Sequence, residues 1–314
     1  MPRKIIIDTD PGVDDTMAIF FALQAPELDV IGLTTIFGNV STELATVNAL
    51  RLLEIAERTD IPVARGVDNS LTVPFGEPAA FVHGDDGQGN IALPPPTTQP
   101  IDQSAAAFII EQVMAAPGEI TLVPVGPLTN IAMALMLEPR IVENVREVVL
   151  MGGNALCPGN ATPCAEANIH NDPEAADLVF GASWPVTMVG LDVTHKVNMT
   201  NAHLQRYAAA DNPLARHISR TVAFYHSYFE RNFPGIDGIY VHDSSAIACV
   251  LDPSLFKMER WPVRVETQGI SRGKTWPAIS GGELLPPWRD RPLVNVCVDV
   301  DSERLVALEL GYLT

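Results

Sequence analysis

The chain has 314 residues, of which 47% are apolar and 18% charged, a composition that can bury a sizeable core and excludes global disorder. Its 20 basic and 38 acidic side chains leave a net charge of −18. A surface that negative repels phosphate backbones and anionic lipids, which argues against nucleic acid and membrane as partners and favours a small neutral substrate or a cation.

Ile5-Ile6-Ile7 lies between Lys4 and Asp8, an apolar run too short for a signal peptide. No uncharged stretch approaches the roughly 18 residues of a transmembrane helix. Four cysteines do not make a disulfide framework in a chain of this size, and free thiols in a reducing cytoplasm are expected, including Cys157 and Cys164 in one loop.

In chain order, residues 4–10 are predicted as a strand and 14–24 as a helix carrying Met17, Phe20, Phe21 and Leu23. A second strand is predicted at 29–37, a helix at 42–57 and a short strand at 61–64. Residues 67–103 form a long loop rich in Pro and Gly, of a length that usually serves function. The alternation resumes with a helix at 105–114, a strand at 120–125, a helix at 128–137 and a strand at 147–151. A second long loop spans 154–172, followed by a helix at 173–180 that begins with a tolerated proline and a strand at 185–189. Then come a long aromatic helix at 214–231, a loop at 233–241, a helix at 245–251, strands at 263–266 and 293–298, and a closing helix at 303–310. Repeated β-α units with near-continuous apolar strands predict a single α/β domain over 1–314, with a mostly parallel central sheet flanked by helices.

In such sheets the ligand sits beyond the carboxyl ends of the strands. The richest strand end is Asp8-Thr9-Asp10-Pro11-Gly12-Val13-Asp14-Asp15, with four carboxylates in eight residues. Asp8 and Asp10 share a face of the strand, Pro11-Gly12 is a turn signal, and Asp14 and Asp15 open the helix. Clustered carboxylates repel unless something binds them, and oxygen ligands select Ca²⁺ or Mg²⁺ over zinc.

This segment resembles the N-terminal signature of the inosine–uridine nucleoside hydrolase family. Further segments in the same order carry the resemblance: Val123-Pro124-Val125-Gly126-Pro127-Leu128-Thr129-Asn130, Met151-Gly152-Gly153, Ala165-Glu166-Ala167-Asn168-Ile169, Val241-His242-Asp243 and Arg264-Val265-Glu266-Thr267-Gln268-Gly269. The resemblance implies a Rossmann-like sheet, a calcium ion and hydrolysis of the N-glycosidic bond of a ribonucleoside. By position, Asp10, Asp15, Asp243 and the carbonyl of Val125 are implied calcium ligands. A calcium-held water is the implied nucleophile and Asp10 its general base. Asp14, Asn39 and Asn168 are implied contacts of the ribose hydroxyls, with Met151 in the same sugar-binding region, and Asn160 and Glu166 of the 5′-hydroxyl. His242 is implied to protonate or polarise the leaving base, and His83 to face it. Tyr228 and Asn232 are named as specificity candidates from the aromatic helix. His195, His203, His217 and His226 have no such context and read as ordinary histidines; His170 follows the Asn168 segment.

Ser244 follows Asp243 where many relatives have proline, and the loop after His83 carries an extra acidic residue at Asp85 or Asp86. His242 places the chain with the histidine-bearing group, and Thr34–Val40, Phe81–Gly84 and Arg264–Gly269 look nearest to uridine-preferring members, with inosine, xanthosine and cytidine also open. Relatives imply a homotetramer or homodimer. Two other readings use the same residues: a non-catalytic nucleoside or ribose binder, and a Mg²⁺-dependent haloacid-dehalogenase-like phosphohydrolase built on Asp8-Thr9-Asp10. The latter needs a hydroxyl where Gly12 stands.

Overall fold

Successive residues of a strand face opposite sides of a sheet, and the first strand shows what that does here. Ile5 and Ile7 enter one core while Ile6 enters the other. Both faces are therefore buried, as parallel sheets require. The computed structural model describes residues 1–279 and 283–314. Its strands are β1 (Arg3–Thr9), β2 (Leu28–Thr35), β3 (Val63–Arg65), β4 (Ile120–Pro124), β5 (Glu147–Met151), β6 (Val186–Val189), β7 (Asn198–Met199), β8 (Ile239–Tyr240), β9 (Phe256–Val265), β10 (Thr275–Pro277) and β11 (Leu293–Val300).

One nine-stranded sheet runs in the order β10-β9-β11-β6-β5-β4-β1-β2-β3, and β7 pairs with β8 as a separate ribbon. All pairings from β11 to β3 are parallel, whereas β9 is antiparallel to both β11 and β10. The expected mostly parallel α/β sheet is thus observed. The chain runs outward from β1 through β2 to β3, then crosses back to β4 and continues the other way. The direction reverses between β1 and β4, where Asp8 is in register with Pro124. A crevice opens outside the carboxyl ends of the strands at such a reversal, and ligands bind in it.

The helices Val13–Gln24 and Pro213–Asn232 start where the sequence supplies the means. Gly12 precedes the first and the Asp15 side chain closes back on its N–H; Asn212 caps the second, with Pro213 in its first turn. Both pack with Asp243–Leu251 and Ser302–Leu313 into the core that holds Ile5 and Ile7. Ala105–Ala115, Thr129–Leu137 and Pro173–Gly181 cover the other face.

Some elements differ from expectation. The strand expected at 263–266 is the end of the ten-residue β9, whose earlier half carries the charged Lys257, Glu259 and Arg260. The long first loop contains the short helix Ala80–His83, and the second ends in the helix Ala167–Asn171. The helix Asn201–Ala209, β7, β8 and β10 were not anticipated. The four cysteines are free thiols, and among the described residues no helix is long and apolar enough to cross a membrane.

Candidate active site

A cavity of about 310 Å³ opens at the β1–β4 reversal, at the lower end of the volumes typical of small-molecule sites, about 300–1,000 Å³. Its wall brings together Asp14, Asn39, His83, Val125, Met151, Asn160, Glu166, Asn168, Tyr228, His242 and Asp243, which the sequence scatters over more than half the chain. Asp10 and Asp15 are not on the wall: both are buried behind it, each bonded to Asn39, which lines it. Asn232 is not on the wall. As the last residue of its helix it is exposed, and its Nδ2 donates to the carbonyl of Tyr228 one turn earlier at 2.8 Å.

The carboxylates form the floor. Asp14, Asp15 and Asp243 each offer an oxygen, all within 4.8 Å of one another. The anticipated ligand set had Asp10 in place of Asp14. Asp15 accepts four hydrogen bonds, so a cation at this carboxylate would displace a donor: Oδ1 accepts from Thr9 Oγ1 and the Asp10 N–H, and Oδ2 from the Gly12 N–H and Asn39 Nδ2. Asp10 Oδ2 accepts the Asn39 N–H at 2.6 Å, while its Oδ1 is buried with no partner. Glycines frame this carboxylate because nothing larger fits: a Cβ on Gly126 would lie 2.5 Å from Asp10 Oδ1, and one on Gly38 would collide with Oδ2. Asp14 Oδ2 takes the Tyr225 hydroxyl at 3.1 Å, and its Oδ1 too is unpartnered.

Burial, then repulsion from Asp15 and Asp14, raises the Asp10 carboxyl well above the usual range. Burial and the charges of Asp14, Asp15 and Asp10 do the same to Asp243, and burial alone lifts Asp14 to about 6. An all-oxygen donor set with two unpartnered buried oxygens and mutual repulsion suits a hard divalent cation. Val125 adds a carbonyl at the end of β4. Its N–H donates to the Asp8 carbonyl at 2.8 Å, and its own oxygen accepts Asn168 Nδ2 at 2.7 Å, with a second lone pair remaining.

The second long loop supplies the opposite wall. Glu166 caps the helix Ala167–Asn171: Oε1 accepts the Asn168 N–H, and Oε2 the N–H groups of Gly153 and Ile169. A carboxylate has about four acceptor positions, so one stays open to a hydroxyl. Asn168 Nδ2 bridges the carbonyls of Val125 and Met151, tying β4 to β5. Asn160 Oδ1 takes the Ala167 N–H at 3.0 Å.

Aromatic and imidazole groups make the remaining wall. His83 stacks on Tyr225, with ring centroids 5.4 Å apart, and its Nδ1 accepts the Val13 N–H at 3.2 Å. Burial lowers the His83 imidazole to about 4. His242 Nδ1 meets Thr194 Oγ1 at 2.9 Å, and burial lowers His242 well below its ordinary value. Neutral rings therefore face the cavity. Tyr228 packs edge-on against Phe81. His195 also lines the cavity, 5.6 Å from His242 between ring centroids. It read as an ordinary histidine; the short helix Leu191–Thr194 after β6 carries it to the cavity. Tyr225 is distinguished from its helix neighbours by its bond to Asp14, which spacing along the helix does not reveal. His217 and His203 have local roles, on Gln88 Oε1 and at the start of Asn201–Ala209.

The family model described as inosine-uridine preferring nucleoside hydrolase matches residues 5–307. The chain is 47% identical to a probable uridine nucleosidase 2 of Arabidopsis thaliana, covering 99% of this chain and 97% of that protein. It is 42% identical to an inosine-uridine preferring nucleoside hydrolase of Crithidia fasciculata, covering 100% and 98%. A solved plant nucleoside hydrolase superimposes with a TM-score of 0.97 at 44% identity, over 100% of this chain and 99% of that one. A purine-preferring ribonucleoside hydrolase from Gardnerella vaginalis does so at 0.93 with 34% identity, over 99% and 98%.

Proposed function

From the premise that the chain belongs to the inosine-uridine preferring nucleoside hydrolase family and hydrolyses ribonucleosides, we propose that it does so with calcium at the aspartate floor, preferring uridine, with inosine and xanthosine as further substrates. Asp10, Asp15, Asp243 and the Val125 carbonyl would hold the ion, and the position of Asp14 adds it as a neighbour of that shell. When bound, calcium neutralises the cluster, orients ribose hydroxyls and makes a water more acidic.

The observation that carries the reading is the unpartnered Oδ1 of Asp10. Its carboxylate is fixed by Asn39 and walled by glycines, and its raised proton affinity suits a general base for the attacking water. Asp14, Asn39 and Asn168 bind the ribose hydroxyls beside Met151, and the nearby carboxylates stabilise the cationic character that develops on the sugar. Glu166, through its open acceptor position, and Asn160 take the 5′-hydroxyl. On the other side of the sugar, a Thr194 hydroxyl donating to His242 Nδ1 leaves Nε2 as the N–H that polarises the departing base. His83 and Tyr228 contact the base. Nothing in the site favours the ribose binder or the phosphohydrolase. We further read the protein as a cytoplasmic homodimer or homotetramer, which light scattering will size.

The test is ribose release from uridine, inosine, cytidine, adenosine and xanthosine, with and without a chelator. Release led by uridine and abolished by chelation is expected. Release that survives thorough chelation overturns the calcium assignment, and a ranking led by another base overturns the preference.

A further inference from the structure

The loop 154–166 leaves β5, carries Asn160 and Glu166, and has little structure of its own. Its internal backbone bonds are few, among them Gly159 N–H to Pro163 O at 3.2 Å and Ala161 N–H to Ala165 O at 3.1 Å. Residues distant in sequence hold it. Lys274, just ahead of β10, sends its ammonium to the carbonyls of Asn154, Ala155 and Cys157 at 2.7, 3.3 and 3.3 Å. Thr275 Oγ1 accepts the Asn154 N–H and donates to the Asn154 carbonyl, at 2.9 and 2.7 Å. Asp192 accepts the N–H groups of Ala155 and Leu156, both at 2.6 Å. The Asn154 side chain then bridges the carbonyls of Cys157 and Cys164, closing the loop at its neck.

Lys274 is 8% exposed and is the buried lysine or arginine among the described residues. It has no ion pair within salt-bridge distance there. A buried ammonium costs free energy unless its donors are satisfied, and an apolar side chain would fill the same space without that cost. What the ammonium provides, and an apolar chain does not, is a single point gathering carbonyls from one stretch of loop.

We propose that Lys274 is a positioning residue for the 5′-hydroxyl subsite, acting through the loop that carries Asn160 and Glu166; this rests on the assignment of those residues to the 5′-hydroxyl. The hairpin at the antiparallel edge of the sheet thereby braces, at its neck, the loop that forms this wall. Sub-ångström placement of such groups matters, because a displacement of about 1 Å costs on the order of 100-fold in rate.

The experiment compares kcat/KM for uridine and 5′-deoxyuridine in wild type and Lys274→Met. Wild type should prefer uridine. In the variant the uridine value should fall about tenfold or more while 5′-deoxyuridine changes little, so the ratio collapses. Equal losses on both substrates, or an unchanged ratio, overturn the positioning role while leaving the subsite standing. A wild type indifferent to the 5′-hydroxyl overturns the subsite and the positioning role together. Should Lys274→Met fail to fold, Thr275→Val keeps the lysine and removes the bonds to Asn154. The ratio should shrink in the same direction, and an unchanged ratio in that variant overturns the proposal.

Discussion

Asp10 Oδ2 is held by the Asn39 N–H and its Oδ1 is left bare, so replacing that carboxylate by an amide keeps the shape and removes the proton acceptor. Asp10→Asn is expected to lower kcat by about 10²–10⁴-fold, the usual worth of a general base, with the fold intact by circular dichroism. Near wild-type turnover would remove the role. Thr194 supplies a second residue-scale prediction. It is buried and fixes His242 through Nδ1 at 2.9 Å. In Thr194→Val one hydrogen bond of about 1 kcal/mol is lost and the ring loses its orientation. Uridine hydrolysis should fall about fivefold to tenfold. Hydrolysis of p-nitrophenyl riboside, whose leaving group departs unaided, should fall much less. Equal losses would disconnect Thr194 and His242 from the leaving group. At this scale the sequence was legible where chemistry is dense in the chain: the residues from Asp8 to Asp15 and His242-Asp243 announce themselves. Thr194 and His195 do not, because an isolated threonine or histidine carries no signal until the sheet places it.

The β1-to-helix turn behaves as a unit, since the same aspartates are both mutually repelling and desolvated. A cation bound there must displace whatever protons those carboxyls hold. Asp14 has its carboxyl raised to about 6, so it is charged above that pH and takes up a proton below it. Calcium affinity is therefore expected to weaken as pH falls from 7.5 to 5.5, with protons released on binding at the lower pH. Calorimetry in buffers of different ionisation enthalpy measures both, and an affinity independent of pH with no proton release would contradict it. The legibility of elements divides along a physical line. β1, β4 and β5 are buried on both faces and read as apolar runs. β9 is half exposed, so Lys257, Glu259 and Arg260 disguised most of it. The bracing by Lys274 and Asp192 was invisible for another reason: a lone lysine or aspartate in sequence reads as a solvated group, and its partners are backbone atoms without a side-chain signature.

At the scale of the whole molecule, the C-terminal helix places a buried carboxyl beside Ser244, the neighbour of Asp243. Glu309 is fully buried, and Tyr207 donates to its Oε1 at 3.0 Å. Ser244, next to Asp243, faces the same carboxyl, but neither its Oγ nor Glu309 Oε2 has a partner at hydrogen-bonding geometry. A protonated carboxyl would present a donor to that hydroxyl, and burial raises Glu309 from 4.5 to about 7. The sign follows from proton binding: the folded chain holds this proton more tightly than the unfolded one. The group's contribution to stability is therefore complete below about pH 4.5 and is lost as pH rises through about 7. The size is about 3 kcal/mol across that window. Glu309→Gln has no such proton to lose. With calcium saturating, so that the aspartate floor is occupied in both proteins, the variant should match wild type near pH 5 and show a Tm advantage of several degrees by pH 8. Parallel Tm profiles for the two proteins from pH 5 to 8 would show that Glu309 is not the group that titrates, and the slope would then have to come from elsewhere in the fold.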